Sequence, residues 1–93
     1  MDITFDVDKN ERNIRERDLS FEQAADFDIS TADITVDERN NYGEERYIAV
    51  GYLGHRLHVL CFTESDVGIR VISFRKANLR EGKRYEKPLT LNR

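Results

Sequence analysis

Arginine, lysine, glutamate and tyrosine recur in this chain where a small protein would ordinarily bury apolar side chains. Arg46, Glu64, Arg70, Arg75 and Lys76 sit within or at the ends of three apolar runs, and Arg80, Lys83, Arg84 and Tyr85 follow directly. A cation at a strand end is ordinarily solvated, or guards against edge-to-edge aggregation. Several together suit another task. Cleavage of RNA by its own 2′-hydroxyl requires a base for that hydroxyl, cations around the pentavalent phosphate and a proton donor for the leaving oxygen. An arginine fork clamps the phosphate, a glutamate or a lysine of depressed pKa serves as base, and a tyrosine or an arginine-bound water serves as acid. The residues suffice for this chemistry without singling it out.

Other chemistries find less support. The chain carries no P-loop, no G-x-G-x-x-G and no G-x-S-x-G. Of its two histidines, His55 falls at a turn and His58 lies mid-strand, where it reads as structural. Without a carboxylate cluster nearby they make no metal site, and no cofactor is expected. Cys61 stands alone in an apolar run, which excludes an internal disulfide and reads as a small buried hydrophobe in a reducing compartment.

The elements that must position these side chains belong to one domain, residues 1–93, expected to be ordered over about 3–87 with a short loose C-terminal tail. A domain of this size hides only roughly two-thirds of its unfolded surface, so a stabilising partner would be unsurprising. The net charge is -3, but it is unevenly spread. Residues 1–45 hold fourteen acidic and five basic side chains, whereas residues 46–93 hold four acidic and ten basic. Either the basic half faces phosphate, or the halves attract one another and are otherwise solvated. No run approaches the ~20 apolar residues of a membrane span, and the start lacks the basic segment of a signal peptide. A cytoplasmic location is expected, with no membrane partner.

Residues 2–6 alternate as a short edge strand. Asp8-Lys-Asn-Glu11 has the form of a helix cap and opens a helix over about 8–17, with Ile14 as its buried anchor. Ser20-Phe-Glu-Gln23 repeats the device before a second helix over about 20–27, whose stripe is Phe21, Ala24 and Ala25. Ile34-Thr-Val36 is a short strand, and longer strands follow at 45–53, 56–64 and 69–76, joined by short turns. Strict alternation places Arg70 and Arg75 on opposite faces of the last strand, so that without a bulge one of them is structural. Asn78-Leu-Arg-Glu81 caps a basic helix over about 78–87, closed by Pro88. The expected fold is α+β: a small antiparallel meander sheet packed with N-terminal helices on one face and a C-terminal basic helix near the other face or along an edge.

Certain residues run in a familiar order. They are Asp6-x-x-Lys9-x-x-x-Asn13, Ser20-Phe21-Glu22-x-Ala24, Tyr42-Gly43-Glu44-Glu45-Arg46-Tyr47, Gly51-x-x-Gly54-x-Arg56-x-x-Val59, Thr63-Glu64, and Ile69-Arg70-Val71-Ile72-Ser73-x-Arg75-Lys76-Ala77. The chain thereby resembles the BrnT family of type II toxins over about residues 3–87. The resemblance implies a ribonuclease of RelE-like fold that inhibits translation. It also implies neutralisation by a BrnA-like antitoxin of ribbon–helix–helix type, through which alone the pair reaches DNA. By position it implies Arg46, Glu64, Arg70 and Arg75, with Tyr85 as a weaker member, for RNA cleavage. Of the two β-strand arginines, Arg75 is favoured for its place at the strand end, and the neighbouring cations Lys76, Arg80, Lys83 and Arg84 are read as RNA-binding. Two departures stand out. Glu16-Arg17-Asp18 replaces the family's usual Lys-His-Gly, and Phe74 replaces a small residue before Arg75. They motivate a second reading, a weakened toxin that only binds an antitoxin and co-represses its operon.

Overall fold

Period-two alternation builds the sheet, and its register follows from which members of each strand are apolar. The computed structural model describes residues 2–39 and 41–91, and for 87–91 the backbone only. Five strands pair in the order β1-β5-β4-β3-β2. They span Asp2–Phe5 (β1), Asp33–Val36 (β2), Tyr47–Leu53 (β3), Arg56–Ser65 (β4) and Gly68–Lys76 (β5). Strands β2 to β5 form the expected antiparallel meander. Strand β1 departs from it. It pairs in parallel with β5, Ile3 beside Ile69 and Phe5 beside Val71, so the sheet is mixed. After β1 the chain crosses one face and re-enters at the opposite edge running the other way. Three reversals later β5 runs alongside β1.

Directly paired residues share a face, and the register sorts the side chains into two surfaces. One carries Phe5, Ala49, Leu60, Phe62, Ile69, Val71 and Phe74, sealed by Leu19, Phe21, Ala24 and Phe27 from the crossing segment. Phe74 and Leu60 have no exposed surface, and each large side chain so buried contributes about 1.5–3 kcal/mol. Phe27 meets Phe74 edge-on at 6.0 Å, and Phe5 meets Phe21 the same way at 5.8 Å. The crossing segment comes so close to β3 that a Cβ on Gly51 would lie 2.9 Å from both Phe27 Cζ and Ala32 Cβ.

Helix α1 spans Val7–Arg17 and starts one step before the expected bounds, because Asp6 rather than Asp8 caps it by accepting the Lys9 N–H at 3.1 Å. Its anchor is not Ile14, which is 42% exposed. Two buried asparagines hold it instead. Asn13 Nδ2 donates to Leu19 O and Phe74 O, both at 2.9 Å, while Asn10 Oδ1 accepts from Phe21 N at 2.7 Å. The Phe74 carbonyl lies beyond the end of the β1 pairing, so Asn13 satisfies backbone that β1 leaves open. The helix ends at Asp18, in the left-handed region at φ 53° where glycine is favoured.

The second predicted helix is a 3-10 helix, Phe21–Asp26, and the Ser20/Gln23 capping box is present. Its buried positions recur every third residue, Phe21, Ala24 and Phe27, while Ala25 is exposed. Three residues per turn select that stripe. A further 3-10 turn, Ile29–Thr31, leads into β2.

Strand β5 contains a bulge. Cys61 pairs with Ser73 but Phe62 pairs with Val71, leaving Ile72 as an extra residue. Helix α2, Leu79–Leu91, opens with the expected reciprocal cap: Glu81 N donates to Asn78 Oδ1 at 2.8 Å and Asn78 N to Glu81 Oε1 at 2.9 Å. It is not closed by Pro88, which removes one helical N–H, but continues to Leu91. Asn92 and Arg93 lie outside the described residues. The helix sits on the face opposite the core, with Tyr85 edge-on to Tyr52 at 5.8 Å and Gly82 over Leu57.

Candidate functional site

The bulge decides the site. With Ile72 taking no place in the ladder, Arg70 pairs with Thr63, Ser73 with Cys61 and Arg75 with Val59, all on the face away from the core. The expectation that Arg70 and Arg75 point to opposite faces is therefore overturned. Arg46 joins them at the foot of β3. One carboxylate bridges two of them: Arg70 Nη2 meets the two Glu44 oxygens at 2.8 and 2.7 Å, and Arg46 Nε meets Glu44 Oε2 at 3.1 Å. The Arg46 guanidinium also lies over the Tyr42 ring, 3.9 Å from its centroid.

Arg75 is held by helix α2. Its two terminal nitrogens meet the two Glu81 oxygens at 2.8 Å each, a fork-on-fork pair. The Arg75 bonds, aided by the Asn78 N–H, hold the Glu81 carboxyl down at about 2 and raise the Arg75 guanidinium above its ordinary value. Hydrogen bonds from Arg46 and Arg70 likewise lower Glu44.

A fourth arginine completes the face. Arg39 clasps Asp37 with Nε and Nη2 at 2.8 Å each, and Tyr42 donates its hydroxyl to the same carboxylate at 3.2 Å. The Asp37 side chain is only 1% exposed, its carboxyl held well below the usual range by the Arg39 bonds. Its backbone N–H donates to Arg46 O at 2.8 Å. The loop that carries Arg46 thus hangs from one buried acid. Beneath these groups lies Cys61, whose thiol is pushed up by burial and so remains a packing group.

The other sequence candidates are placed elsewhere or engaged otherwise. Glu64 pairs with Ile69 and lies on the core-side face. There it lines an apolar hollow with Ile34, Tyr47 and Phe62, away from the arginines. Lys76 pairs with His58, also on that side. Tyr85 donates its hydroxyl to Thr31 O at 2.8 Å, tying α2 to the segment before β2. On α2, Arg84 borders a cleft of about 250 Å³ with Asp33, Ile48, Val50 and Glu81, whereas Lys83 borders the other flank near His55 and Arg56. Arg80 is exposed one turn before Arg84.

Sequence reasoning missed Arg39, Asp37, Glu44 and Glu81 as members of this surface. Asp37-Glu-Arg39 reads as a solvated loop, and nothing local marks Asp37 as buried. A carboxylate two residues before an arginine, twice within ten residues (Asp37/Arg39, Glu44/Arg46), was the available signal. A cleft of about 230 Å³ also joins Ser73, between Arg70 and Arg75, to Lys9, Arg12, Glu16 and Arg17 of α1. Among the described residues, no group of three or more His, Cys, Asp and Glu is placed to hold a metal ion. No described helix is long and apolar enough to cross a membrane.

Fold and face together define a small α+β protein whose open sheet surface is lined by arginines ordered by carboxylates. Residues 5–81 match the model of the BrnT family, ribonuclease toxins of type II toxin–antitoxin systems, and the chain belongs to that family. No curated protein matches it in sequence.

Proposed function

We propose that this toxin is an endoribonuclease of RelE-like type that cleaves RNA on its arginine face without a metal ion, inhibiting translation in the cytoplasm. The observation that carries the reading is the bulge, because it gathers Arg70 and Arg75 with Arg46 on one open surface. Guanidiniums there suit the charge that develops on a phosphorane. A divalent cation is poorly suited to the same place, since the carboxylates it would need are already bonded to arginines. The antitoxin partner that the family implies is a BrnA-like ribbon–helix–helix protein, and the pair meets DNA through that protein. Induced without antitoxin, the chain should arrest growth and fragment RNA. Cleavage should persist in excess EDTA and leave 2′,3′-cyclic or 3′-phosphate ends. Ends bearing 3′-hydroxyls, or activity abolished by the chelator, would sink the proposal.

One observation favours the second reading, a binding module that co-represses its operon. The acids on the arginine face are committed: Glu44 and Glu81 to arginines, and the Tyr85 hydroxyl to Thr31 O. Glu64 is on the wrong side. Outside these pairs, a carboxylate on offer as proton acceptor is Glu16 of α1, which lines a cleft with Ser73. Normal growth with abundant folded protein would select the binding module.

A further inference from the structure

The three carboxylates of the arginine face are not equally fixed. Asp37 has a side chain 1% exposed and also accepts from Tyr42 and the Arg39 backbone. Glu81 is built into the α2 cap through the Asn78 N–H. Glu44 differs, for among the described contacts its carboxylate bonds only to side chains of Arg46 and Arg70. It is 33% exposed and Arg70 is 44% exposed, so both reach solvent without any unfolding.

Two guanidiniums converge here on the two oxygens of one anion. A phosphodiester presents the same pattern with its two non-bridging oxygens. The cations are pre-set by parts of the fold that do not depend on Glu44: Arg46 by the Tyr42 ring and the Asp37 backbone, Arg70 by its place in β5 beside Thr63. We propose that Arg46 and Arg70 form a phosphodiester subsite that Glu44 occupies in the unliganded protein, so that an RNA phosphate binds by displacing this carboxylate. The proposal rests on the reading of the arginine face as the RNA surface. Its consequence is a toxin that partly masks its own cations.

The test uses a single-stranded all-2′-deoxy oligonucleotide, which lacks the attacking hydroxyl, with binding followed by fluorescence anisotropy across a salt series. Glu44→Gln removes the competing charge and keeps the size of the side chain. It should tighten binding about tenfold and steepen the fall of log K with log salt by roughly 0.7, the slope expected for one further net positive charge set against a single strand. Arg70→Ala in that background should return affinity to the parent's level or below. Folded Glu44→Gln that binds no tighter than the parent overturns the subsite. A second measurement needs no variant. In the parent, saturating oligonucleotide should raise the NMR titration midpoint of the Glu44 carboxyl as Arg46 and Arg70 leave it, and an unmoved midpoint also overturns the proposal. Cleavage of ordinary RNA is scored separately. A parent that cuts no RNA beside a Glu44→Gln variant that gains oligonucleotide affinity leaves the subsite standing and removes the ribonuclease. A parent that cuts RNA beside a variant without that gain does the reverse.

Discussion

On one face of the sheet, Leu60, Val71 and Phe74 meet Phe21, Ala24 and Phe27 and exclude water. On the other face of the same strands, Arg70 and Arg75 meet carboxylates from a loop and a helix. Both faces are ordered, by different forces. Apolar burial has no partner to exchange, so the packed centre of the first face is closed to ligands. Guanidinium–carboxylate pairs gain little net free energy where solvent reaches them, and a competing anion can replace one member. The second face is therefore exchangeable. A domain this small keeps its apolar packing on one side of the sheet and its exchangeable charges on the other.

The comparison breaks most severely on the core side. Phe74→Ala should cost about 3–5 kcal/mol, a large part of the stability of such a domain, and urea unfolding would measure it. A loss under about 1 kcal/mol would mean that Phe74 is not the centre of the packing. On the arginine side, Arg75→Ala should cost on the order of 3 kcal/mol of transition-state stabilisation in RNA cleavage, and Arg75→Lys, which keeps the charge but loses the fork, should also cleave far more slowly. If both variants cleave RNA like the parent, Arg75 only clasps α2. If cleavage is lost together with the thermal melt, Arg75 holds the fold and the site centres on Arg46 and Arg70.

Smaller effects sharpen the contrast. Glu81→Gln breaks the clasp between β5 and α2 and should cost about 1 kcal/mol at neutral pH. The Glu81 carboxyl lies at about 2 in the folded protein, below its ordinary 4.5. Its contribution is whole above 4.5 and disappears as pH falls through about 2. The stability gap between parent and variant should close over that window, while the Phe74→Ala gap should stay constant wherever the fold persists. A Glu81→Gln gap that ignores pH would show that the pair contributes through packing. Smallest of all, Asp18→Gly relieves a left-handed residue at the end of α1 and should stabilise by about 0.5 kcal/mol in the same melts.

The strands, the facing residues of β3 and β4, and the caps at Ser20 and Asn78 were legible in the sequence because alternation and capping are local signals. The buried asparagines of α1 were not, since an amide that brackets backbone leaves no periodic trace. The 3-10 stripe was misread for want of one residue per two turns, with Ala25 taken in place of Phe27. At the site, the arginines were visible by type, but their common side was not. That depended on Ile72, an apolar residue in an apolar strand, whose exclusion from the ladder is decided by the neighbouring strand. Phe74, a departure from the usual small residue, has its reason in the core, where it fills the space against Phe27 and His58.

The parallel pairing of β1 with β5 also sets an order of events while the chain is being made. Asp2 leaves the ribosome ahead of its partner Gly68, which is sixty-six residues later. At roughly 5–20 residues per second, that interval lasts about 3–13 s. Until it has passed, Ile3 and Phe5 have no strand to join, and Asn13 lacks the Phe74 carbonyl that it later brackets. Arg70 and Arg75 emerge in the same stretch as Gly68 and Phe74, so the arginine face is completed only together with the last strand of the sheet.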